Sequence, residues 1–199
     1  SFGDIAASSF GGMVYYTSPN RSSLLEQLQN QSIKAICDAD WKDLTIGRLP
    51  ELPDFTLLVG WTGQVAITDS LIQATEKKRK VAMDSDFYKE FLAKSHAIVQ
   101  GLQSAWNQQD IPALQEGIHA NRALLNEFAQ VMQLEIETPA LQTLCNLAEQ
   151  NGACAKTSGA GGGDCGICFT QNETQRQQIE TQWAKAQIQV LPLTIAEAW

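Results

Sequence analysis

Apolar side chains recur at helical spacing through the middle of the chain. Between residues 86 and 106, and again between residues 110 and 132, they fall three or four positions apart, which predicts two amphipathic helices. A third helix is predicted to begin at Thr138-Pro139, because proline suits the first turn, and to end at Asn151-Gly152. The pattern therefore predicts three consecutive helices over residues 86–151.

Strand-like runs flank these helices on both sides. They cover residues 12–16, 44–49, 55–61, 165–170 and 188–193, with a short helix near residues 24–28 and a polar-faced helix over 173–186. Pro50 and Pro53 separate the second and third runs, which we expect to be two strands of one sheet joined by a proline-bearing connection. The order predicts an α+β fold: a mostly antiparallel sheet covered by helices on one face.

Length and charge narrow the function classes. A chain of 199 residues, 44% of them hydrophobic, can bury one substantial core, and one main domain is expected. The net charge of −8 and a single short basic cluster at residues 77–80 argue against nucleic-acid binding. No apolar run reaches the roughly 20 residues that cross a bilayer, and no secretion signal is present, so we expect a cytoplasmic protein without a membrane partner.

The chain has five cysteines, an odd number that cannot all pair in disulfide bonds, and this fits a reducing compartment. Cys165 and Cys168 make one CxxC, but a structural zinc site usually needs four ligands and a redox CxxC usually opens a helix. Because this pair enters an apolar, strand-like run, no metal or redox site is predicted here.

Residues 159–164, with the sequence GAGGGD, place four glycines in five positions. Such a loop frees backbone N–H groups to point at one anion, and its small residues let phosphate approach the main chain. It is not a P-loop, because Lys156 precedes the glycines, and it is not a dinucleotide fingerprint, because the predicted order is helix, loop, strand. A flexible linker or a tight turn remains the alternative.

The stretch AKTSGAGGGDCGICF, residues 155–169, closely resembles the third conserved motif of the GHMP kinases, the superfamily of galactokinase, homoserine kinase, mevalonate kinase and phosphomevalonate kinase. The form KTSGAGGGDCGI is similar to that of the bacterial phosphomevalonate kinases. Three further stretches resemble that family in the same order: GDIA at residues 3–6, LVGWTG at 58–63 and NRALL at 121–125.

The resemblance spans nearly the whole chain, but the family's first two motifs are missing. These are an N-terminal strand with a catalytic lysine and a loop that wraps the ATP phosphates. We therefore expect residues 1–17 to be the end of an N-terminal kinase domain, with an active-site aspartate segment, and residues 18–199 to be a GHMP kinase C-terminal domain. The start at Ser1 without methionine also suggests a piece of something longer. The N-terminal half of the same enzyme is the expected partner, and this piece alone is expected to be inactive.

The resemblance implies ATP-dependent phosphoryl transfer to 5-phosphomevalonate, with ATP and Mg²⁺ as cofactors. It implies Asp4 as the catalytic residue, orienting the transferring group. The implied phosphate-binding residues are Lys156, Ser158, Gly159, Ala160, Gly161, Gly162, Gly163 and Arg122, with backbone amides of residues 158–163 as donors.

Each assignment has a structural alternative. Asp4 could cap a helix or lie in a turn, Lys156 could be a solvated lysine, and Arg122 could form a surface salt bridge. Asp164 is expected to shape the loop as a hydrogen-bond acceptor, and His96 and His119 are expected to be structural. For the whole protein, the alternatives are a non-catalytic phosphate-binding module or another GHMP small-molecule kinase such as mevalonate kinase.

Overall fold

The structure, a computed structural model, describes residues 2–63, 85–159 and 161–197. The chain divides into two compact units, one formed by Ser1–Glu51 with Ile195–Trp199 and the other by Leu52–Thr194. The predicted domain boundary after residue 17 falls inside the first unit. The assignment of residues 1–17 to an N-terminal kinase domain stays a prediction.

The first unit contains three short helices and a two-stranded sheet. In chain order these are α1 (Gly3–Phe10), β1 (Met13–Thr17), α2 (Arg21–Asn30), α3 (Ile33–Cys37) and β2 (Thr45–Leu49). The two strands are antiparallel, with Met13 opposite Leu49 and Thr17 opposite Thr45. The amide of Gly12 donates a hydrogen bond to the carbonyl of Ala196 at 2.8 Å, so the end of the chain belongs to this unit.

The second unit contains a four-stranded sheet and four helices among its described residues. In chain order they are β3 (Thr56–Trp61), α4 (Asp86–Gln108), α5 (Ile111–Met132), α6 (Pro139–Gln150), β4 (Cys154–Thr157), β5 (Cys165–Thr170), α7 (Glu173–Lys185) and β6 (Gln189–Leu191). The strands lie in the order β4-β5-β3-β6, and every neighbouring pair is antiparallel. The predicted α+β class with a mostly antiparallel sheet is confirmed.

The three central helices begin close to the predicted residues, and a side chain caps each start. Side chains of Ser85, Asp110 and Thr138 accept hydrogen bonds from backbone amides three residues later, at the starts of α4, α5 and α6. These caps satisfy amides that have no partner inside the helix. None of the helices in the described ranges combines the length and apolar character needed to cross a membrane.

The main core of the second unit lies between the sheet and helices α6 and α7. Leu144 on α6 and Trp183 on α7 are fully buried there, against Leu58 and Cys168 of the sheet. The indole Nε1 of Trp183 donates a hydrogen bond to the Leu144 carbonyl at 3.0 Å, which joins the two helices over the sheet. Phe169, the next residue along β5, stacks on Phe55 with ring centroids 4.7 Å apart.

Two predictions about the strands were wrong. The runs at residues 44–49 and 55–61 do not share a sheet, because β2 pairs with β1 while β3 pairs with β5 and β6. The glycine-rich segment does not follow a helix directly, because β4 precedes it. This strand was missed since it is only four residues long and contains Ala155 and Lys156, which are poor strand formers.

Candidate phosphate-binding site

The glycine loop, defined here as residues 158–164, connects the antiparallel strands β4 and β5. The Ser158 amide donates to the carbonyl of Cys165 at 3.0 Å, so the strand pairing continues to the base of the loop. Gly161, Gly162 and Gly163 then have φ values of 85°, 82° and 122°, and Asp164 follows at 65°. Three consecutive glycines in the left-handed region explain why the loop is rich in glycine, because residues with a side chain rarely adopt this backbone conformation.

The glycine loop is attached at both its middle and its end. The Gly162 amide donates to the carbonyl of Ile136, between α5 and α6, at 2.8 Å. The carbonyl of Asp164 accepts hydrogen bonds from the amide of Thr62 at 2.9 Å and from its hydroxyl at 2.8 Å. The expectation that Asp164 shapes the loop as an acceptor is thus met by its backbone oxygen. A flexible linker does not have this geometry.

Thr62 directly follows β3, so this contact brings together the two most specific motifs of the sequence. Trp61 lies opposite Cys165 in the sheet, and Gly60 lies opposite Gly166. The LVGWT strand and the strand after the glycine loop are therefore neighbours. The pairing of these two strands fixes the base of the loop relative to the sheet.

Some backbone amides of the glycine loop already donate hydrogen bonds within the protein. Those of Ser158 and Gly162 already donate to protein carbonyls, so the prediction that every amide of residues 158–163 is a free donor was wrong for these two. The amides of Gly159, Gly161 and Gly163 donate to no backbone carbonyl within the described part of the chain. Ala160 lies outside the described residues.

Lys156 lies on β4, two residues before the glycine loop, and is partly buried. Its Nζ donates to the carbonyl of Thr157 at 2.7 Å, and no carboxylate lies within ion-pair distance of it among the described residues. Burial lowers the pKa of Lys156, because the charged form loses solvation. The predicted alternative of a solvated lysine does not fit this environment, and a buried cation without a carboxylate is suited to an anionic ligand.

Thr157 is a residue that sequence reasoning passed over. It is 4% exposed, and its hydroxyl is buried with no hydrogen-bond partner among the residues described. A buried hydroxyl usually has a partner, so an unpaired one beside the glycine loop is a candidate contact for a ligand or a water. Its place directly before Ser158 was the only sequence signal.

Arg122 on α5 is bound by protein carboxylates. Its Nε and one terminal nitrogen donate to the two oxygens of Glu137 at 2.7 and 3.1 Å. The guanidinium also donates to Asn146 at 2.9 Å and lies 2.8 Å from Glu149. Four of its five N–H groups are used in this way, so no pair is left for a bidentate contact with a ligand.

The exposed fractions of Arg122 and Glu137 are only 12% and 7%. Both predicted roles of Arg122, ligand contact and surface salt bridge, are therefore corrected to an internal ion pair. Burial opposes both charges, but the hydrogen bonds to Glu137 and Glu149 raise the pKa of Arg122, and those from Arg122 hold the pKa of Glu137 below its usual value. His119 joins the network through Nδ1, 3.2 Å from Glu149, in keeping with its predicted structural role.

Asp4 lies in the first unit, in the first turn of α1, and is exposed. The N-cap position of this helix is Phe2, and no side chain caps it, so the alternative of Asp4 as a capping residue was wrong. A carboxylate in the first turn is favoured by the helix dipole. The other predicted site residues that are described lie in the second unit.

The CxxC pair shows no metal-binding geometry. Cys168 is fully buried while Cys165 is partly exposed, and all five cysteines are free thiols. Burial raises the pKa of Cys145 and Cys154 to about 12, which keeps both protonated near neutral pH. The described residues contain no group of three His, Cys, Asp or Glu side chains that could hold a metal ion.

Part of the chain matches a known protein family. Residues 98–189 match the family described as GHMP kinases C terminal. The chain is 35% identical over 198 residues to a phosphomevalonate kinase of Streptomyces sp. (strain CL190), covering 98% of this chain and 52% of the relative. It thus spans about half the length of the curated relative that it matches.

Two solved structures are similar over nearly the whole chain. A Lin0012 protein from Listeria innocua matches with a TM-score of 0.92 at 31% identity, over 99% of this chain and 55% of that one. A Streptococcus pneumoniae phosphomevalonate kinase in complex with phosphomevalonate and AMPPNP matches with a TM-score of 0.81 at 27% identity, over 96% of this chain and 54% of that one. Residues 98–189, which include the glycine loop, therefore match the C-terminal domain of the GHMP kinases, and the chain as a whole is similar to phosphomevalonate kinases.

Proposed function

We propose that this chain is part of a phosphomevalonate kinase, in which it forms most of the site for the phosphate acceptor. The enzyme transfers the γ-phosphoryl group of ATP to the phosphate of 5-phosphomevalonate, giving 5-diphosphomevalonate in the mevalonate route to isoprenoids. The single observation that carries the proposal is the glycine loop, held by Ile136 and Thr62 with three left-handed glycines. The similarity to phosphomevalonate kinases supports the choice of acceptor.

Phosphate recognition is assigned to groups at one end of the sheet. The amides of Gly159, Gly161 and Gly163 and the hydroxyl of Ser158 supply hydrogen bonds to phosphoryl oxygens, and Ala160 is assigned with them. Gly162 has no side chain that would keep phosphate away from the main chain, and its amide anchors the loop to the carbonyl of Ile136. Lys156 supplies positive charge, and an anion next to it offsets the lowering of its pKa by burial.

The chemical step is a displacement at phosphorus. An oxygen of the acceptor phosphate forms a bond to the γ-phosphorus, and the bond from that phosphorus to the bridging oxygen of ATP breaks, so ADP leaves with the electron pair. Because a phosphate monoester oxygen is already ionised near pH 7, the step needs no strong general base. We assign Asp4 to orienting the transferring group rather than to removing a proton.

ATP and Mg²⁺ are the cofactors of the proposed reaction, and the described residues fit the metal to a limited extent. Mg²⁺ commonly takes one or two protein carboxylates together with substrate phosphates and water, and the exposed carboxylate of Asp4 would supply one such ligand. When bound, the metal neutralises charge on the nucleotide phosphates. The remaining nucleotide contacts are assigned to an N-terminal half of the same enzyme.

The five cysteines are all free thiols, which suits the cytoplasmic location that we propose for this protein.

The test is to join this chain to an N-terminal half that contains the ATP loop and to measure ADP release. We expect turnover with 5-phosphomevalonate and none with mevalonate or galactose at the same concentration. Binding of 5-phosphomevalonate to the chain alone is measured in parallel by calorimetry. Turnover with mevalonate in its place would assign the chain to another GHMP kinase. Binding without turnover in the joined protein would favour a non-catalytic module.

A further inference from the structure

The glycine loop depends on one residue of the segment between α5 and α6. The carbonyl of Ile136 accepts the hydrogen bond from the Gly162 amide at 2.8 Å. A Cβ atom at Gly161 would lie 2.3 Å from the same oxygen and 2.7 Å from Cγ2 of Ile136. Since the middle of the loop rests directly on this peptide group, a shift of Ile136 displaces Gly161 and Gly162.

The backbone at Ile136 is in turn held by the side chain of the next residue. Both oxygens of Glu137 accept hydrogen bonds from Arg122, and one of them also accepts from Asn126 Nδ2 at 3.0 Å. Arg122 and Asn126 lie one turn apart on α5, so Glu137 is fixed by three contacts to a long, well-packed helix. Bidentate contact of this kind fixes geometry as well as charge.

We propose that Glu137, held by Arg122 and Asn126, is a positioning residue for the glycine loop and thereby sets the affinity for the acceptor phosphate. The effect runs from α5 through the Glu137 side chain to the Ile136 carbonyl and then to the Gly162 amide. The affinity part of this inference rests on the proposed function, whereas the positioning of the loop does not. Arg122 thus serves the phosphate site indirectly, without touching the ligand.

Glu149 provides a matched control. It lies 2.8 Å from the same guanidinium, but it belongs to α6 and has no place in the segment that carries Ile136. Glu137→Gln and Glu149→Gln each remove one carboxylate charge from Arg122. A general loss of stability would affect both variants, whereas loss of loop position is expected only for Glu137→Gln.

Two readouts test the proposal on the full chain. We expect hydrogen exchange at the Gly162 amide to accelerate about tenfold or more in Glu137→Gln and to change less than about twofold in Glu149→Gln. We also expect the Kd for 5-phosphomevalonate, measured by calorimetry, to rise about tenfold in Glu137→Gln alone. Asn126→Ala, which removes one contact to Glu137 and leaves Arg122, is expected to produce a smaller change in the same direction. It serves as the test if Glu137→Gln does not fold.

The outcomes separate this inference from the proposed function. Unchanged exchange at Gly162 in the Glu137 and Asn126 variants, or equal acceleration in Glu149→Gln, would overturn the positioning role. Unchanged affinity in Glu137→Gln, with accelerated exchange, would overturn its link to the acceptor. If neither the parent chain nor the joined protein binds 5-phosphomevalonate while exchange responds as expected, the assigned acceptor is wrong and the positioning role stands.

Discussion

Gly60 on β3 and Gly166 on β5 lie opposite each other in the sheet, and both face the side chain of Leu144 on α6. A Cβ atom at Gly60 would lie 2.8 Å from Leu144 Cδ1, and one at Gly166 would lie 2.6 Å from Leu144 Cδ2. These distances are too short for a side chain, so the pair of glycines allows α6 to approach the two strands that carry the LVGWT and glycine motifs.

We predict that Gly166→Ala lowers the free energy of unfolding by about 1–3 kcal/mol, because the added methyl group overpacks a fully buried site. Urea unfolding measures the change. Gly47→Ala on β2 is the control, since a Cβ atom there has no neighbour within 4 Å among the described residues. Equal stability of the two variants would contradict the close approach of α6.

Gly161→Ala is predicted to disturb the glycine loop more than Gly159→Ala. At Gly161 the backbone has a φ of 85° and a Cβ atom would clash with the Ile136 carbonyl, whereas a Cβ atom at Gly159 has no neighbour within 4 Å in the described part of the chain. We expect Gly161→Ala to lower the free energy of unfolding by about 1–3 kcal/mol and Gly159→Ala to lower it by less than about 1 kcal/mol. Thermal unfolding of both variants checks this, and a larger loss in Gly159→Ala would refute the loop geometry.

Asp4→Asn is predicted to slow turnover of the joined, complete enzyme without weakening acceptor binding. If Asp4 orients the transferring group, its charge acts mainly in the transition state, so kcat falls about 100-fold or more while KM for 5-phosphomevalonate stays within about threefold. Steady-state kinetics measures both constants. Ser9→Ala on the exposed surface of the same helix is the control. Comparable losses in kcat and in acceptor affinity would contradict the assigned role.

Lys156→Met is predicted to stabilise the ligand-free chain in a pH-dependent way. Burial lowers the pKa of Lys156, so the folded chain holds this proton less tightly than the unfolded chain, whose lysine titrates near 10.5. The cost of burying the charge is complete below the folded pKa and disappears as pH rises towards 10.5. The Tm of Lys156→Met should therefore exceed that of the parent chain at pH 7 by about 2–4 °C per kcal/mol recovered, and the difference should shrink towards pH 10.

Lys185→Met is the control for Lys156, because it removes the same charge from an exposed position on α7. It should leave the Tm nearly unchanged at both pH values. The same Lys156 variant should also lose most of the increase in Tm that 5-phosphomevalonate produces in the parent chain. A full increase in the variant would remove Lys156 from the phosphate site.

Local signals predicted the helices well and the sheet less well. Capping residues and proline positions predicted the starts of α5 and α6, and hydrophobic spacing predicted that of α4, because these signals act within a few residues. Which strands share a sheet depends on contacts between distant residues, so the separation of β2 from β3 could not be read from Pro50 and Pro53. Strand β4 was missed for a related reason, since its pairing partner lies beyond the glycine loop.

The candidate site shows the same division. The run of glycines predicted a loop, and the structure shows that this loop has a left-handed backbone. The motif around the glycines predicted that the loop binds phosphate. The sequence could not reveal that Arg122 is used by Glu137 and Glu149, because those partners are defined only by how α5 and α6 pack. Nor could it reveal that the Gly162 amide is bound to Ile136, a contact that changes which atoms of the loop are free.

The hydrogen bond from Gly12 to Ala196 has a consequence for the order of assembly during synthesis. Residues 52–194 leave the ribosome between the two partners, so the first unit cannot make this bond until Ala196 has been translated. The second unit, whose residues are continuous, is free to fold earlier. The residues around Gly12 therefore complete their contacts only after the second unit has been synthesised.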